Sequence, residues 1–202
     1  KYGGQGLDAL SYIIAIEEFA RVDGSQAATL AAHNSLGIAP IYLFGSELQR
    51  MEYIPSLCTG DALWAFGLTE VMAGSDARGV QTNAVRQDDS WIINGHKRYI
   101  TNGSNVLLKG ITTLAITGDK NGKTQYSVIL VDRDSEGITA ESMLGKMMWR
   151  ASDTARIRYK DVKVPFSHLL GEEGKGLTQM LQPLDGGRLS IAAMGLGLAI
   201  GA

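Results

Sequence analysis

One cysteine, four prolines and no long apolar run mark what this 202-residue chain lacks. A lone Cys58 excludes an intrachain disulfide and fits a reducing compartment. Its bland role is buried filler, its sharp role a reactive thiol. Metal chemistry has little to draw on. His33, His96 and His168 are scattered and Cys58 has no partner at ligand spacing, so no zinc or iron site is expected. Net charge is only -2, with no basic stripe for nucleic acid and no acidic tail for a basic partner. The most apolar stretch, Leu189 to Ala202, is too short and too rich in glycine for a membrane span. No signal peptide is visible in Lys1-Tyr2-Gly3-Gly4. The opening "KYGGQG" reads as mid-loop and the last residues as mid-helix, so both ends are expected to be cuts.

What is present is a 45% hydrophobic composition, enough for a sizeable core, in three zones of different periodicity. From Leu7 to Gly60 the spacing is helical. Leu10, Ile13, Ile14, Ile16 and Ala20 recur at helical intervals, and an alanine-rich stretch is interrupted by Pro40. Ser46 and Gln49 form a capping-box pair that opens a helix expected to end at Pro55. From about Leu63 to Leu170 short alternating runs predict strands, separated by turns at Asp88-Asp89-Ser90 and Lys120-Asn121-Gly122. "ARIRYKDVKV" alternates except around Asp161, which predicts a bulge or turn there. Helical pattern returns after "GEEGKG". The expected class is α+β: a helical domain at 1–61, a middle antiparallel β-barrel or sandwich at 62–172, and the start of a second helical domain at 173–202.

Among the glycine-rich stretches, "GEEGKG" and "GLGLAIG" lack dinucleotide spacing and a βαβ setting. They read as a turn and as close helix packing. No nucleophile elbow is present. "FGLTEVMAGSD", Phe66 to Asp76, reads as a strand breaking into a loop of small residues. Its N–H groups, with the Thr69 and Ser75 hydroxyls, suit a pyrophosphate or a flavin pyrimidine edge; the bland alternative is a turn capping the next segment.

The stretches "LTEVMAGSD", "WIINGHKRYITNG", "ITAESMLGKMMWRASDTARIRYKDVKVP" and "LLGEEGKGLTQMLQPLDGGRLSIAA" follow one another in that order. This series resembles the acyl-CoA dehydrogenase family over essentially the whole chain. The resemblance implies FAD held between the middle domain and a C-terminal helical bundle, and an acyl-CoA substrate. It also implies electron-transferring flavoprotein as electron acceptor, a homotetramer, and a bacterial cytoplasmic or mitochondrial matrix setting. It implies that Phe66, Gly67, Leu68, Thr69, Ser75, Tyr99, Ile100 and Thr101 contact FAD, with the Tyr99 ring over the isoalloxazine and Thr101 near N5. Members often carry Trp where this chain has Tyr99, which keeps a stacking face. Ser75, Asp185 and Arg188 match positions that bind the acyl-CoA. The bland reading of Asp185 and Arg188 is an i,i+3 ion pair at a helix start, with Asp185 on the helix dipole.

The resemblance implies α,β-dehydrogenation with a glutamate as base. Gly187 stands where some members carry that glutamate, so the base is expected beyond Ala202 and the 202 residues alone are expected to be inactive. Glu70, Glu172 and Glu173 are tempting substitutes that nothing in the sequence places at the substrate. An oxidase or flavin monooxygenase on the same fold, and a non-catalytic binding or assembly member, are the rival functions. Val71-Met72 departs from the Pro-Gly that most members carry, so FAD binding with an altered loop conformation is expected.

Overall fold

The structure is a computed structural model describing residues 1–202. It runs from helices to strands to a helix. The helices are α1 (Ala9–Val22), α2 (Gly24–Ala32), α3 (Ala39–Phe44) and α4 (Glu47–Thr59), with a π-helical segment at His33–Ile38. The strands are β1 (Leu63–Gly67), β2 (Asn83–Gln87), β3 (Ser90–Thr101), β4 (Leu108–Lys120), β5 (Lys123–Asp132), β6 (Ile138–Ser142), β7 (Thr154–Pro165) and β8 (Leu169–Leu170). A final helix, α5, spans Gly176–Gly201. No helix is long and apolar enough to cross a membrane.

The helix starts follow their caps. Asp8 accepts the Ser11 N–H at the head of α1, and Asp23 accepts from Ser25 and Gln26 at the head of α2. Ser46 and Gln49 make both bonds of the capping box. Contrary to expectation, α4 does not stop at Pro55 but carries it inside and ends at Gly60, whose φ of 83° is left-handed. Packing of Tyr53, Ile54 and Leu57 on the core outweighs the one hydrogen bond that Pro55 removes. Pro40 likewise sits inside a continuous helical path. The π-helical segment precedes it, closed by a bond from the Ala39 N–H to the Asn34 carbonyl.

The sheet runs β6-β7-β3-β2-β4-β5-β8, with β1 added on β4. It does not close into a barrel; its two-sided burial suits a sandwich. Most pairings are antiparallel as expected, and two are parallel: β1 with β4, and a single bridge between β2 and β4. The expected bulge is present. Between Ile93–Val162 and Gly95–Tyr159, β7 carries one more residue than β3. Asp161 takes a φ of 51°, and its N–H and side chain bond the Asn94 side chain at 2.9 and 3.0 Å.

Strands β4 and β5 are buried on both faces, and their alternation sorts side chains into two cores. Leu114, Val128 and Leu130 face the helices with Tyr53, Trp64 and Met180. Ile111, Ala115, Ile129 and Val131 face inward with Trp91, Ile93, Ile157 and Val162. A third cluster, with Ile16, Ala20, Ala27 and Met194, joins α1 and α2 to α5. There a Cβ at Gly197 would lie 2.2 Å from the Glu17 carbonyl, so Gly197 and Gly201 of "GLGLAIG" serve close helix packing, while Gly195 faces open space.

His33 fixes the helical layer to the sheet. It is buried; its Nε2 donates to the Leu57 carbonyl at 3.0 Å, and its Nδ1 accepts the Trp64 N–H at 3.3 Å. One nitrogen donates and the other accepts, so the ring is neutral. Burial lowers its pKa, and the bond to Leu57 offsets only part of that. Gly37, one turn on, lets the helix touch β1: a Cβ there would lie 2.5 Å from the Trp64 carbonyl. Because the native pKa is depressed, this stabilisation is complete above the unfolded value of about 6.5 and is lost as pH falls through the native value. His33→Ala is expected to cost about 2–4 kcal/mol at pH 7.5. It should also flatten the loss of stability between neutral and acidic pH. Urea unfolding of both proteins across that range tests it; equal slopes would show that His33 does not titrate with folding.

Candidate functional site

The loop after β1 is organised around one carboxylate. Glu70 is buried and accepts the Gln81 N–H at 2.6 Å, the Thr82 N–H at 3.1 Å and the Lys97 ammonium at 2.7 Å. Lys97, 1% exposed, also donates to the Leu68 carbonyl at 3.2 Å. The pair thus ties the start of the loop to its end and both to β3. Burial lowers the Lys97 pKa to about 8, against the attraction of Glu70. Burial would raise the Glu70 carboxyl, but the Lys97 charge and hydrogen bond, with bonds from Thr82 and Gln81, together hold it below its ordinary value. At neutral pH both remain charged.

Within this loop Val71 and Met72 are the two exposed central residues of a turn closed by Glu70 and Ala73. The Glu70 N–H reaches the Ala73 carbonyl at 2.9 Å, and the Ala73 N–H returns to Glu70 at 3.3 Å. Neither central residue has a positive φ, so this turn forms without glycine.

Facing the loop, β3 bulges. Lys97 pairs with Ile157 and Ile100 with Ala155, leaving an extra residue on β3 at Arg98-Tyr99. The Arg98 N–H leaves the ladder and donates to the Thr69 carbonyl at 2.8 Å. Tyr99 takes a φ of 60°, an unfavourable value for a bulky side chain, and holds its ring 57% exposed.

Phe66, Leu68, Thr69, Tyr99, Ile100 and Thr101 line one cavity of about 160 Å³, walled on the helical side by Leu36 and Leu184. Thr101, Leu36 and Leu184 also line an adjoining cavity of about 390 Å³ that reaches Ser35, Trp149, Gly187 and Arg188. The two form one cleft between β1, β3, the π-helical segment and α5. No carboxylate lines it. The buried Trp149 Nε1 on its wall has no hydrogen-bond partner.

Of the remaining sequence-predicted residues, Gly67 is buried and packs on β4, while Ser75 is exposed and lines neither cavity. Asp185 pairs with Arg188 at 2.9 Å, both side chains largely exposed. They do not lie at a helix start. Helix α5 begins at Gly176, nine residues before Asp185, because "GEEGKG" forms the turn and helical bonding resumes at its last glycine. Asp185 is therefore beyond the reach of the N-terminal dipole. The tempting glutamates are elsewhere: Glu70 is engaged with Lys97, and Glu173 pairs with Arg86. Sequence reasoning missed Leu36, Ser35, Leu184 and Trp149. They carry no local chemical signal; only Trp149, at a φ of 52°, stands in an unusual backbone.

Residues 1–61 match the model of the acyl-CoA dehydrogenase N-terminal domain, and residues 65–162 match that of the acyl-CoA dehydrogenase middle domain. The chain belongs to the acyl-CoA dehydrogenase family. A probable acyl-CoA dehydrogenase of Bacillus subtilis, YngJ, is 46% identical over 98% of this chain. The butyryl-CoA dehydrogenase of Megasphaera elsdenii superposes with a TM-score of 0.93 at 40% identity, covering 99% of this chain and 53% of that one. An acyl-CoA dehydrogenase from Bacillus anthracis, solved in complex with FAD, superposes at 0.89 with 35% identity, covering 97% of this chain and 33% of that one. The chain spans about half the length of the curated acyl-CoA dehydrogenase relatives it matches, 52% in the case of YngJ.

Removing one partner of the Glu70–Lys97 pair strands a buried charge. Lys97→Met is expected to destabilise by about 3–5 kcal/mol, and Glu70→Gln with Lys97→Met together to recover more than half of that. Chemical denaturation of the single and double variants checks this. Additive losses would mean that the pair does not act as a unit.

Proposed function

We propose that the protein is a flavin-dependent acyl-CoA dehydrogenase whose FAD and acyl-CoA sites open onto the cleft between β1, β3, the π-helical segment and α5. The observation that carries this reading is the gathering of six of the eight expected flavin residues around one cavity, continuous with the space beside Arg188. The residues fit the cofactor. Tyr99 offers an exposed aromatic face, Thr69 and Thr101 offer hydroxyls, and the partnerless Trp149 Nε1 offers a buried donor.

Bound FAD would supply a hydride acceptor at N5. The chain's own residues then do three things. Phe66, Leu68 and Ile100 exclude water from the reacting face, which strengthens electrostatic contacts there. Thr69, Thr101 and loop N–H groups hold the flavin edge and support the developing enolate of the thioester. Ser75, Asp185 and Arg188 hold the CoA portion. For Ser75 and Asp185, which lie outside the cleft lining, that contact is with a part of the ligand that projects to the surface.

The α-proton acceptor is a glutamate contributed by polypeptide outside these 202 residues, since no carboxylate lines the cleft. We further propose the division into parts at 1–61, 62–172 and 173–202, a homotetrameric assembly, and electron transfer to electron-transferring flavoprotein. The setting is fatty-acid or amino-acid catabolism, in a bacterial cytoplasm or mitochondrial matrix.

The purified full-length protein is expected to show a flavin absorption spectrum that bleaches anaerobically with some member of an acyl-CoA panel. Residues 1–202 alone should not bleach at a comparable rate. Fast reoxidation by air would indicate an oxidase, and flavin that no acyl-CoA reduces would indicate the non-catalytic member. In the same preparation, replacing Val71-Met72 by Pro-Gly should leave FAD bound, because the turn is anchored by Glu70 and Ala73 and not by its central residues. Complete loss of the flavin spectrum would contradict that anchoring.

A further inference from the structure

Outside the cleft, on the other side of the β3 bulge, the outer sheet face carries a second concavity of about 430 Å³, within the usual size of small-ligand pockets. It runs across β3, β7 and β6 beside Val71 and is lined by Arg98, Arg156, Arg158 and His96. The ladder fixes their closeness. His96 lies directly opposite Arg158, which has Thr139 on its other side, and Arg156 lies opposite Glu141. Three guanidinium groups therefore share one small area of a chain whose net charge is -2.

Little within the chain neutralises them. Glu141 is the one carboxylate on the lining, and it meets Arg156 loosely at 3.6 Å. Lys97, beneath, is already answered by Glu70. Arg158 and Arg98 have no carboxylate partner. Arg98 rests its guanidinium 4.8 Å from the Tyr99 ring centroid, and its buried Nε has no hydrogen-bond partner. Positive groups placed side by side on a sheet destabilise it, and an orphaned buried donor adds to that cost. An anion seated among them relieves the like-charge cost.

We propose that this groove is a binding site for a phosphate-bearing small molecule, with Arg98, Arg156 and Arg158 gripping the phosphate oxygens. Guanidinium favours this class of ligand, because its planar fork matches two phosphate oxygens at once. The concave shape and the spacing of adjacent strands suit a compact, highly charged group better than the flat face of an acidic protein. The site is separate from the cleft, so it neither requires nor supports the flavin reading.

The test uses the full-length protein as purified; any flavin it carries is left bound, so that pyrophosphate cannot enter a cofactor diphosphate site. Inorganic pyrophosphate and ADP are titrated calorimetrically at low ionic strength, with a hexaglutamate peptide as the rival probe. Pyrophosphate is expected to bind and to raise the melting temperature. Arg156→Gln with Arg158→Gln should weaken it by about tenfold or more. Lys160→Gln with Lys163→Gln, on the same strand, should not weaken it. ADP binding as tightly as pyrophosphate assigns recognition to the phosphates alone, and tighter ADP binding adds a nucleoside contact; both support the site. The arginine variant should melt no lower than the parent, since it removes like-charge neighbours. Three outcomes overturn the proposal: no pyrophosphate binding, binding equally strong in the arginine variant (an adventitious ion only), or hexaglutamate binding at least as tightly as pyrophosphate and lost in that variant.

Discussion

Lys97 and Glu70 meet at 2.7 Å where water does not reach, and the walls of the cleft are arranged around that contact. A buried ion pair is a poor source of net stability, because desolvating both groups offsets their attraction. Its effect here is directional. The carboxylate has fixed acceptor positions and fills them from Gln81, Thr82 and Lys97, while the ammonium also takes the Leu68 carbonyl. Four contacts converge from the two ends of a loop and the neighbouring strand. The loop after β1 cannot shift without leaving a buried charge unanswered. The bulge at Arg98-Tyr99 follows directly after Lys97 and is tied back to the same loop through Thr69. The unfavourable φ of Tyr99 is therefore held by an ion pair outside the lining, acting through Leu68 and Thr69, which belong to it.

The opposite wall depends on a close approach of helix to sheet. Neutral His33 bonds α4 and β1 at once, and Gly37 brings the helical backbone onto the Trp64 carbonyl. The π-helical segment carries both contacts and, between them, presents Ser35 and Leu36 to the cleft. Helix α5 closes the third side, pressed onto α1 by Gly197. These packing contacts have no polar direction of their own. They set the width of the cleft, whereas the ion pair sets the position of its polar groups.

Much of the fold was legible in the sequence because its signals are local. The Ser46–Gln49 cap, the turn at Asn121-Gly122 and the irregularity at Asp161 each depend on a few adjacent residues, and each is present. The places where the local reading failed are those where packing overrode it. Tyr53, Ile54 and Leu57 carry α4 past Pro55, and α5 starts early enough to leave Asp185 in mid-helix. The parallel pairing of β1 with β4 joins strands far apart in the chain, and no short-range pattern encodes it.

The order of the zones, the family resemblance, and the polar and aromatic residues at the "FGLT" and "YIT" positions were determined by sequence alone. Those features reside in residue identity and periodicity. Tertiary structure alone decided which of them share a cavity. It placed Thr69, Tyr99 and Thr101 together, left Ser75 and Asp185 outside the lining, and engaged Glu70 with Lys97. It also set Arg158 against His96 and Arg156 beside them, residues that in sequence look like the solvent face of an alternating strand. The physical reason is the same in each case: proximity across strands depends on register, and register is a property of the folded sheet.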